Sequence, residues 1–400
     1  MKKSLLLLAL LICFLPFFSQ EWQHIGLAGE KIQAIAVNPV NADMIFVNGS
    51  RTINGGASWT STTVLFMCDY AFHPYSDTIY GAFGEGSYSD GIYYSIDSGN
   101  TWQILHWLYM VSAFTIPVHD PDFIIAGTAE DGVYISTNYG SDFSYFNDSL
   151  DNLSIRTLIH FYPVIENKSW HIYLAGTEAG IFHCHGPADY WHSTNISTGD
   201  TVVALASDVT GWNVYGAVRS DEETTGIYQS PDAGYNWNLI KNYAHITDVL
   251  VNPLNFNTIY ASSSDFGIIR STDAGVHWES LNFPTTDSTV FCIAQTQADT
   301  TRLFAGTNNG VYAIDLPVGI YETNSSKLLN IYPNPANNTI NIETRPKTDI
   351  QLINLQGKRI LKREAKSNLL QINLSGYCPG IYFIRAQSGD RVFYSKFVKH

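Results

Sequence analysis

Two aspartates occupy equivalent places in a repeated pattern and are the residues best suited to chemistry. Asp69 and Asp248 are each the second residue of a short β-like run, and such runs recur seven times along residues 20–316. Two carboxylates that face one cleft can form the catalytic pair of a glycoside hydrolase. They can also bind a cation such as calcium, or ordered water, or simply keep a channel hydrated. All three interpretations stay open at this stage.

The other five runs carry small residues at the same position, as expected where seven strands crowd around one axis. These residues are Ala34, Ala113, Thr157, Ala204 and Cys292. Histidines 73, 119 and 160 lie near the ends of the runs, but no HExxH or similar spacing accompanies them. We therefore assign no metal ligand and expect no cofactor, with a calcium-type cation in the channel or a loop as the alternative.

A second pattern recurs between the runs and reads Ser or Thr, any, Asp or Asn, any, Gly, any two, aromatic. Its five copies are Thr52, Asn54, Gly56 and Trp59; Ser95, Asp97, Gly99 and Trp102; Ser136, Asn138, Gly140 and Phe143; Ser230, Asp232, Gly234 and Trp237; Ser271, Asp273, Gly275 and Trp278. A decayed copy keeps only the spacing, with Cys184, Gly186, Ala188 and Trp191. The aromatic residues, with Trp22 before them, open seven units 37–48 residues apart.

Each unit contains about four short β-like runs, which is typical of a propeller blade. We predict an all-β protein in which residues 20–316 form a seven-bladed β-propeller. The strand near Trp22 should complete the last blade beside residues 310–314, because a closed ring leaves no free sheet edge.

The recurring motif resembles the Asp box of bacterial-neuraminidase-type (BNR) repeats. In this role the box is structural. Its Asp or Asn accepts hydrogen bonds from the turn, its Gly adopts unusual dihedral angles, and its aromatic residue packs between blades.

Two enzyme families have such propellers, and their catalytic requirements can be compared with this sequence. Sialidases need an arginine cluster and a Phe/Tyr-Arg-Ile-Pro stretch, which is missing here. Xyloglucanase-type enzymes place their cleft between two propellers, whereas this chain has one. The chain is more similar to single propellers of the photosystem II assembly-factor kind, which implies a non-catalytic carbohydrate- or protein-binding module. A glycoside hydrolase using Asp69 and Asp248 is the alternative.

Charge is distributed unevenly along the chain. Residues 20–316 contain 31 acidic and 8 basic residues, whereas residues 317–400 contain 5 acidic and 12 basic residues. The strongly acidic propeller excludes nucleic acid as a partner and disfavours anionic sugars.

Residues 1–19 combine two lysines with a short apolar run and are predicted to be a signal peptide. No later segment is apolar enough for a transmembrane helix, and we expect a monomer.

The last part of the chain is predicted to direct export of the protein. Residues 317–327 are predicted to be a linker, and residues 328–400 an immunoglobulin-like β-sandwich. The tail resembles the type A C-terminal sorting domain of the type IX secretion system through Tyr332, Pro333, Asn334, Pro335, Gly357, Pro379, Gly380, Tyr382, Lys396 and Lys399. The resemblance implies recognition by the outer-membrane translocon and a sortase-like peptidase. It also implies secretion or surface attachment, via the periplasm, in a Bacteroidetes-type bacterium.

Overall fold

The computed structural model describes most of the chain. The described residues are 21–399 without 63–66, 118–119, 166–167, 170, 187–188, 197–198, 209, 221–224, 285–288, 297, 317–329, 355–357 and 389–390. The predicted signal peptide, the predicted linker and Gly357 lie outside the described residues. Among the described residues, no helix has the length and hydrophobicity needed to cross a membrane.

Short strands dominate the described part of residues 21–316. In chain order they are β1 (Gln23–Gly26), β2 (Ile35–Val37), β3 (Ile45–Val47), β4 (Ser50–Thr52), β5 (Thr60–Ser61), β6 (Asp69–Phe72), β7 (Ile79–Phe83), β8 (Gly91–Ser95), β9 (Gln103–Trp107), β10 (Val111–Thr115), β11 (Ile124–Thr128), β12 (Val133–Ser136), β13 (Ser144–Tyr145), β14 (Ile155–Phe161), β15 (Val164–Ile165), β16 (Lys168–Ser169), β17 (Ile172–Thr177), β18 (Gly180–Cys184), β19 (His192–Ser193), β20 (Thr201–Ser207), β21 (Val214–Arg219), β22 (Gly226–Ser230), β23 (Asn238–Asn242), β24 (Ile246–Val251), β25 (Ile259–Ser263), β26 (Gly267–Ser271), β27 (Glu279–Ser280), β28 (Val290–Thr296), β29 (Asp299–Thr307) and β30 (Gly310–Asp315).

These strands form seven four-stranded antiparallel sheets, which are the seven blades of a propeller. Blades 1 to 7 have the strand orders β2-β3-β4-β5, β6-β7-β8-β9, β10-β11-β12-β13, β14-β17-β18-β19, β20-β21-β22-β23, β24-β25-β26-β27 and β28-β29-β30-β1. Strands β15 and β16 form a separate hairpin within blade 4. The prediction of an all-β, seven-bladed fold is confirmed.

The ring closes by pairing the start of the propeller with its end. In blade 7, Gln23 lies opposite Ala313 and His24 opposite Tyr312 in the antiparallel pair of β1 and β30. Just before β1, Trp22 packs edge-on against Phe283, with ring centroids 5.0 Å apart. Closure therefore follows the predicted scheme, because β1 from the start of the propeller covers the edge of β30 and completes the last blade.

Five of the seven innermost strands share one irregularity, a shift of register near their N-terminal ends. The shift lies between Val111 and Ala113, Ile155 and Thr157, Val202 and Ala204, Ile246 and Asp248, and Val290 and Cys292. A bulge of this kind bends a strand and redirects the following side chain. In all five blades that side chain belongs to the column recognised in the sequence.

Each recurring motif lies at the turn between the third and fourth strands of a blade. In blade 2 the Ser95 hydroxyl donates to Asp97 over 2.8 Å and accepts the Gly99 N–H over 2.9 Å. The Asp97 carboxylate also accepts the Thr101 N–H over 2.8 Å. The same serine-or-threonine and Asp-or-Asn contacts recur in blades 1, 3, 5 and 6.

The glycine of each motif touches the preceding blade. Gly99 has a φ of +77°, and a Cβ added there would lie 2.3 Å from the ring of Phe46 in blade 1. The matching contacts elsewhere are Gly56 with Ile25, Gly140 with Leu105, Gly234 with Leu174 and Gly275 with Ile240. The motif aromatics Trp59, Trp102, Phe143, Trp237 and Trp278 join hydrophobic clusters that include residues of the preceding blade. The turn therefore also sets the spacing between blades.

The C-terminal part is a β-sandwich of two antiparallel sheets. Its strands are β31 (Asn330–Tyr332), β32 (Thr339–Glu343), β33 (Asp349–Asn354), β34 (Arg359–Glu364), β35 (Leu369–Asn373), β36 (Gly380–Ser388) and β37 (Arg391–Lys399), arranged as β31-β32-β35 and β34-β33-β36-β37. The two sheets enclose a core that includes Ile340, Leu352, Ile384 and Phe397.

Residues of the predicted sorting motif connect different parts of this sandwich. The Asn334 side chain accepts the Val398 N–H over 3.0 Å, which ties the segment after β31 to β37. Tyr382 stacks on Phe397 with centroids 5.6 Å apart, and its hydroxyl donates to the Cys378 carbonyl over 2.6 Å. The Tyr332 hydroxyl donates to Glu343 over 3.0 Å.

The sandwich packs against blades 5 and 6. The ring of Phe383 lies 5.1 Å from that of Phe256, and the Arg385 guanidinium lies 5.5 Å above the Trp212 ring. Ile353 joins the same cluster.

Candidate functional site

A cavity of about 240 Å³ lies where the innermost strands meet. All seven residues of the small-residue column line it: Ala34, Asp69, Ala113, Thr157, Ala204, Asp248 and Cys292. Small side chains leave this space open, because a larger residue in any blade would fill it. The two aspartates therefore share one cavity, as their matching positions in the repeat predict.

Asp69 uses its carboxylate to join two blades. One oxygen accepts the N–H of Tyr70 over 2.8 Å, and the other accepts the N–H of Phe114 in blade 3 over 3.0 Å. Burial raises the pKa of Asp69 to about 6, against the two backbone hydrogen bonds, which lower it.

Asp248 repeats this arrangement on blade 6. Its two oxygens accept the N–H groups of Val249 over 2.8 Å and of Ile293 in blade 7 over 2.9 Å. Burial raises its pKa to about 7, these hydrogen bonds lower it, and the charge of Asp69 raises it further. Both carboxyl groups therefore titrate near neutrality, although each already holds two backbone donors.

Arg156 is the basic residue among those that line the cavity. It is paired with Glu178, so its charge is matched at the rim. The cavity thus combines two carboxyl groups that connect blades with one neutralised cation. This chemistry suits ordered water or a small polar group better than a sugar ring, because about 240 Å³ is below the usual volume of a ligand pocket.

A second feature, at the β7–β8 connection and at the end of β9 in blade 2, was missed from the sequence. Tyr88, Trp107 and Tyr109 are 104%, 59% and 50% exposed. We call these three residues the aromatic surface. They belong to two neighbouring segments, residues 84–90 and 107–110, and the Gly- and Ser-rich composition of the first of these was the available signal.

Asp90 fixes these two segments to each other. It is only 3% exposed, and its carboxylate accepts the N–H groups of Glu85, Gly86, Ser87 and Met110 over 2.8–3.1 Å. Burial alone would raise the pKa of Asp90, but these hydrogen bonds hold it below its ordinary value. The aromatic surface therefore rests on a rigid support, which favours binding because little order is lost.

Among the described residues, four cysteines are free thiols: Cys68, Cys184, Cys292 and Cys378. Cys184 and Cys292 are buried and Cys378 is exposed. Burial raises the pKa of the Cys292 thiol well above its ordinary value, so it is a poor nucleophile.

The C-terminal sandwich can now be compared with known families. Residues 330–400 match the model of the secretion system C-terminal sorting domain. The prediction of a sorting domain is confirmed, and the chain is a β-propeller that carries it. The sorting domain indicates secretion or export to the cell surface.

The propeller itself has similarity to a curated enzyme. A xyloglucanase from a Paenibacillus species is 24% identical over 202 residues, which are 46% of this chain and 19% of that enzyme. The chain therefore spans about a fifth of the length of this relative.

Solved structures support the fold. YCF48 from Cyanidioschyzon merolae superposes with a TM-score of 0.54 at 14% identity, covering 74% of this chain and 98% of that protein. The GH74 xyloglucanase of Xanthomonas campestris superposes with a TM-score of 0.60 at 12% identity, covering 94% of this chain and 68% of that enzyme. At such low identity these likenesses show the propeller fold alone.

Proposed function

We propose that the protein is an exported, non-catalytic propeller that binds a neutral polysaccharide at the aromatic surface of blade 2. The observation that carries this proposal is the exposure of Tyr88, Trp107 and Tyr109 on segments held rigid by buried Asp90. Exposed aromatic clusters mark interaction surfaces. Their flat faces suit sugar rings, and their O–H and N–H groups suit sugar hydroxyls.

The negative charge of the propeller favours a neutral ligand over an anionic one. With 31 acidic and 8 basic residues over residues 20–316, the propeller repels anionic glycans and anionic surfaces. A neutral β-glucan meets no such barrier. The similarity to an enzyme named xyloglucanase supports this class of ligand.

The carboxylates of Asp69 and Asp248 have a structural role that accounts for their place in the cavity without catalysis. Each accepts two backbone N–H groups and connects two blades. A glycoside hydrolase is the second candidate, favoured by the raised pKa values of these two groups and by the xyloglucanase relative.

We also propose a route of export for the chain. Residues 1–19 act as a signal peptide, residues 20–316 form the propeller, residues 317–327 a linker, and residues 328–400 the sorting domain. The chain crosses the periplasm, and the type IX translocon recognises the sorting domain. A sortase-like peptidase then removes the domain, in a Bacteroidetes-type bacterium. The released propeller works as a monomer without a catalytic cofactor, and a surface protein is its alternative ligand.

The decisive experiment compares binding with turnover. Purified protein is titrated calorimetrically with xyloglucan and, as an anionic comparison, polygalacturonate, and reducing ends are measured in the same samples. We expect saturable binding to xyloglucan, no binding to polygalacturonate and no product. Trp107→Ala and Tyr109→Ala should each weaken binding at least tenfold without changing the melting temperature.

The matched control is Phe266→Ala, because Phe266 is an aromatic side chain with 57% exposure on blade 6. It should leave binding unchanged. Product formation that disappears in Asp69→Asn or Asp248→Asn would establish the hydrolase instead. Failure of every neutral glucan to bind, with a surface protein bound through Trp107, would replace the polysaccharide by a protein ligand.

A further inference from the structure

Blade 4 keeps the spacing of the recurring motif but lacks its hydrogen-bonding groups. Cys184 and Gly186 stand where blades 1, 2, 3, 5 and 6 have the hydroxyl and the Asp or Asn. The turn between β18 and β19 therefore has no Ser–Asp contact of the kind that holds the turns of blades 1, 2, 3, 5 and 6. Histidines and one aspartate occupy this turn and the ends of the two strands instead.

Three of these side chains converge. His185 Nδ1 lies 3.1 Å from Asp189 Oδ2, and His192 Nε2 lies 3.8 Å from the same oxygen. One donor atom from each of the three lies within 4.8 Å of the others. Ligands about 2.0–2.2 Å from a tetrahedral zinc ion are roughly 3.4 Å apart. The cluster therefore needs only a small contraction to enclose an ion.

A neighbouring tyrosine orients one of the rings. The Nε2 of His185 is hydrogen-bonded to the hydroxyl of Tyr235 in blade 5, while its Nδ1 faces Asp189. Metal-binding histidines characteristically hold their second ring nitrogen in this way, which fixes the tautomer and the ring orientation.

His183 lies beside this cluster and has a ring nitrogen without a partner among the described residues. It is 8% exposed, and its Nδ1 is buried without a hydrogen-bond partner among the described residues. Its ring centroid lies 5.1 Å from that of His192 and 5.4 Å from that of His185. A buried imidazole nitrogen that has lost water needs a replacement partner.

We propose that His185, Asp189 and His192 bind a zinc-type transition-metal ion in the outer turn of blade 4, beside the ring of His183. Imidazole nitrogens select zinc, cobalt, nickel or copper, whereas calcium and magnesium prefer oxygen ligands. The ion fastens the β18–β19 turn in place of the missing Ser–Asp hydrogen bonds. The site therefore replaces a local device of the repeat, independently of polysaccharide binding.

The test uses the full chain, purified without a histidine tag and stripped with a chelator. Cobalt(II) is added while visible absorption is followed, and zinc is then added as competitor. We expect one equivalent of cobalt to give the intense bands of a tetrahedral site and zinc to remove them. Zinc should also raise the melting temperature of the stripped protein.

Variants separate this site from incidental histidine binding. His185→Gln and His192→Gln should each weaken cobalt binding at least tenfold and abolish the zinc-dependent rise in melting temperature, and His183→Gln should weaken binding less. The matched control is His277→Gln, because His277 faces Asp273 over 2.6 Å in blade 6 but belongs to an intact motif. It should bind cobalt as the parent does.

Two outcomes would overturn the proposal. One is a parent protein that shows no tetrahedral cobalt spectrum, a result that needs no variant to fold. The other is equal binding by the parent and by folded His185→Gln and His192→Gln proteins.

Discussion

The Asp248 carboxylate in blade 6 accepts the backbone N–H of Ile293 in blade 7 across 2.9 Å. Asp69 forms the same link from blade 2 to Phe114 in blade 3, over 3.0 Å. The two residues predicted as catalytic candidates therefore also form hydrogen bonds between adjacent blades. A carboxylate in this position accepts a backbone N–H of the next inner strand, which is an edge strand of its sheet.

The raised pKa values of these two carboxyl groups make the stability of the folded protein depend on pH. Asp69 and Asp248 have pKa values of about 6 and about 7 in the folded protein, both above the ordinary value of 3.8. The folded state therefore binds more protons than the unfolded state between these limits, and their contribution falls as the pH rises from about 4 to about 7.

We expect the double variant Asp69→Asn with Asp248→Asn to lose this dependence, because its side chains stay neutral. Denaturant unfolding at pH 4.5, 6.0 and 7.5 measures the effect. The parent should lose on the order of 1–3 kcal/mol per carboxyl group relative to the variant across this range. Parallel pH profiles for the two proteins would contradict the assignment.

Gly99→Ala should destabilise the protein by about 3 kcal/mol or more, because the new Cβ would meet the Phe46 ring at 2.3 Å and must adopt a positive φ. Gly29→Ala is the matched control, since Gly29 has a φ of +81° and no heavy atom within 4 Å of an added Cβ. It should cost only about 1 kcal/mol for the backbone. Equal losses in thermal unfolding would show that contact with the preceding blade is unimportant.

Ser95→Ala should cost about 1–3 kcal/mol, because Ser95 is 2% exposed and its hydroxyl is the acceptor for the Gly99 N–H. Ser95→Thr should cost much less, since Thr52 makes the same contact with the Gly56 N–H in blade 1. Chemical denaturation of the three proteins measures the difference. A threonine variant as unstable as the alanine variant would argue against the shared role of the hydroxyl.

Deletion of residues 328–400 should leave the propeller in the periplasm, because we propose that the translocon recognises the sorting domain. Fractionation of the native host, with a periplasmic marker and the full chain for comparison, locates the product. Recovery of the truncated propeller outside intact cells would show that another segment directs export.

Much of the fold could be predicted because propeller blades are local. Each blade is formed by about forty consecutive residues, so turn residues such as Asp97 and Gly99 repeat at a regular spacing. The closure of β1 on β30 was also predictable, since a ring of repeats has one way to complete its last blade. The column of small residues followed from the same regularity, and it led to Asp69 and Asp248.

Contacts between blades were not predictable to the same degree. The sequence shows that Gly99 allows a tight turn, but not that Phe46 fills the space where a Cβ would be. It also does not show that Asp90 would join two segments beneath the aromatic surface. Such contacts depend on the angle between blades, which is decided by many packed side chains at once.

The sequence alone therefore determined the number of blades, the order of strands, the central column and the sorting domain, because each depends on local periodicity or on motif order. Only the tertiary structure decided what the chemical groups face. It turned Asp69 and Asp248 toward neighbouring backbone N–H groups, and it gathered His183, His185 and His192 in the turn whose motif had decayed. The physical reason is that hydrogen bonding and metal binding require donor atoms within a few ångströms, and spacing along a chain does not specify that distance.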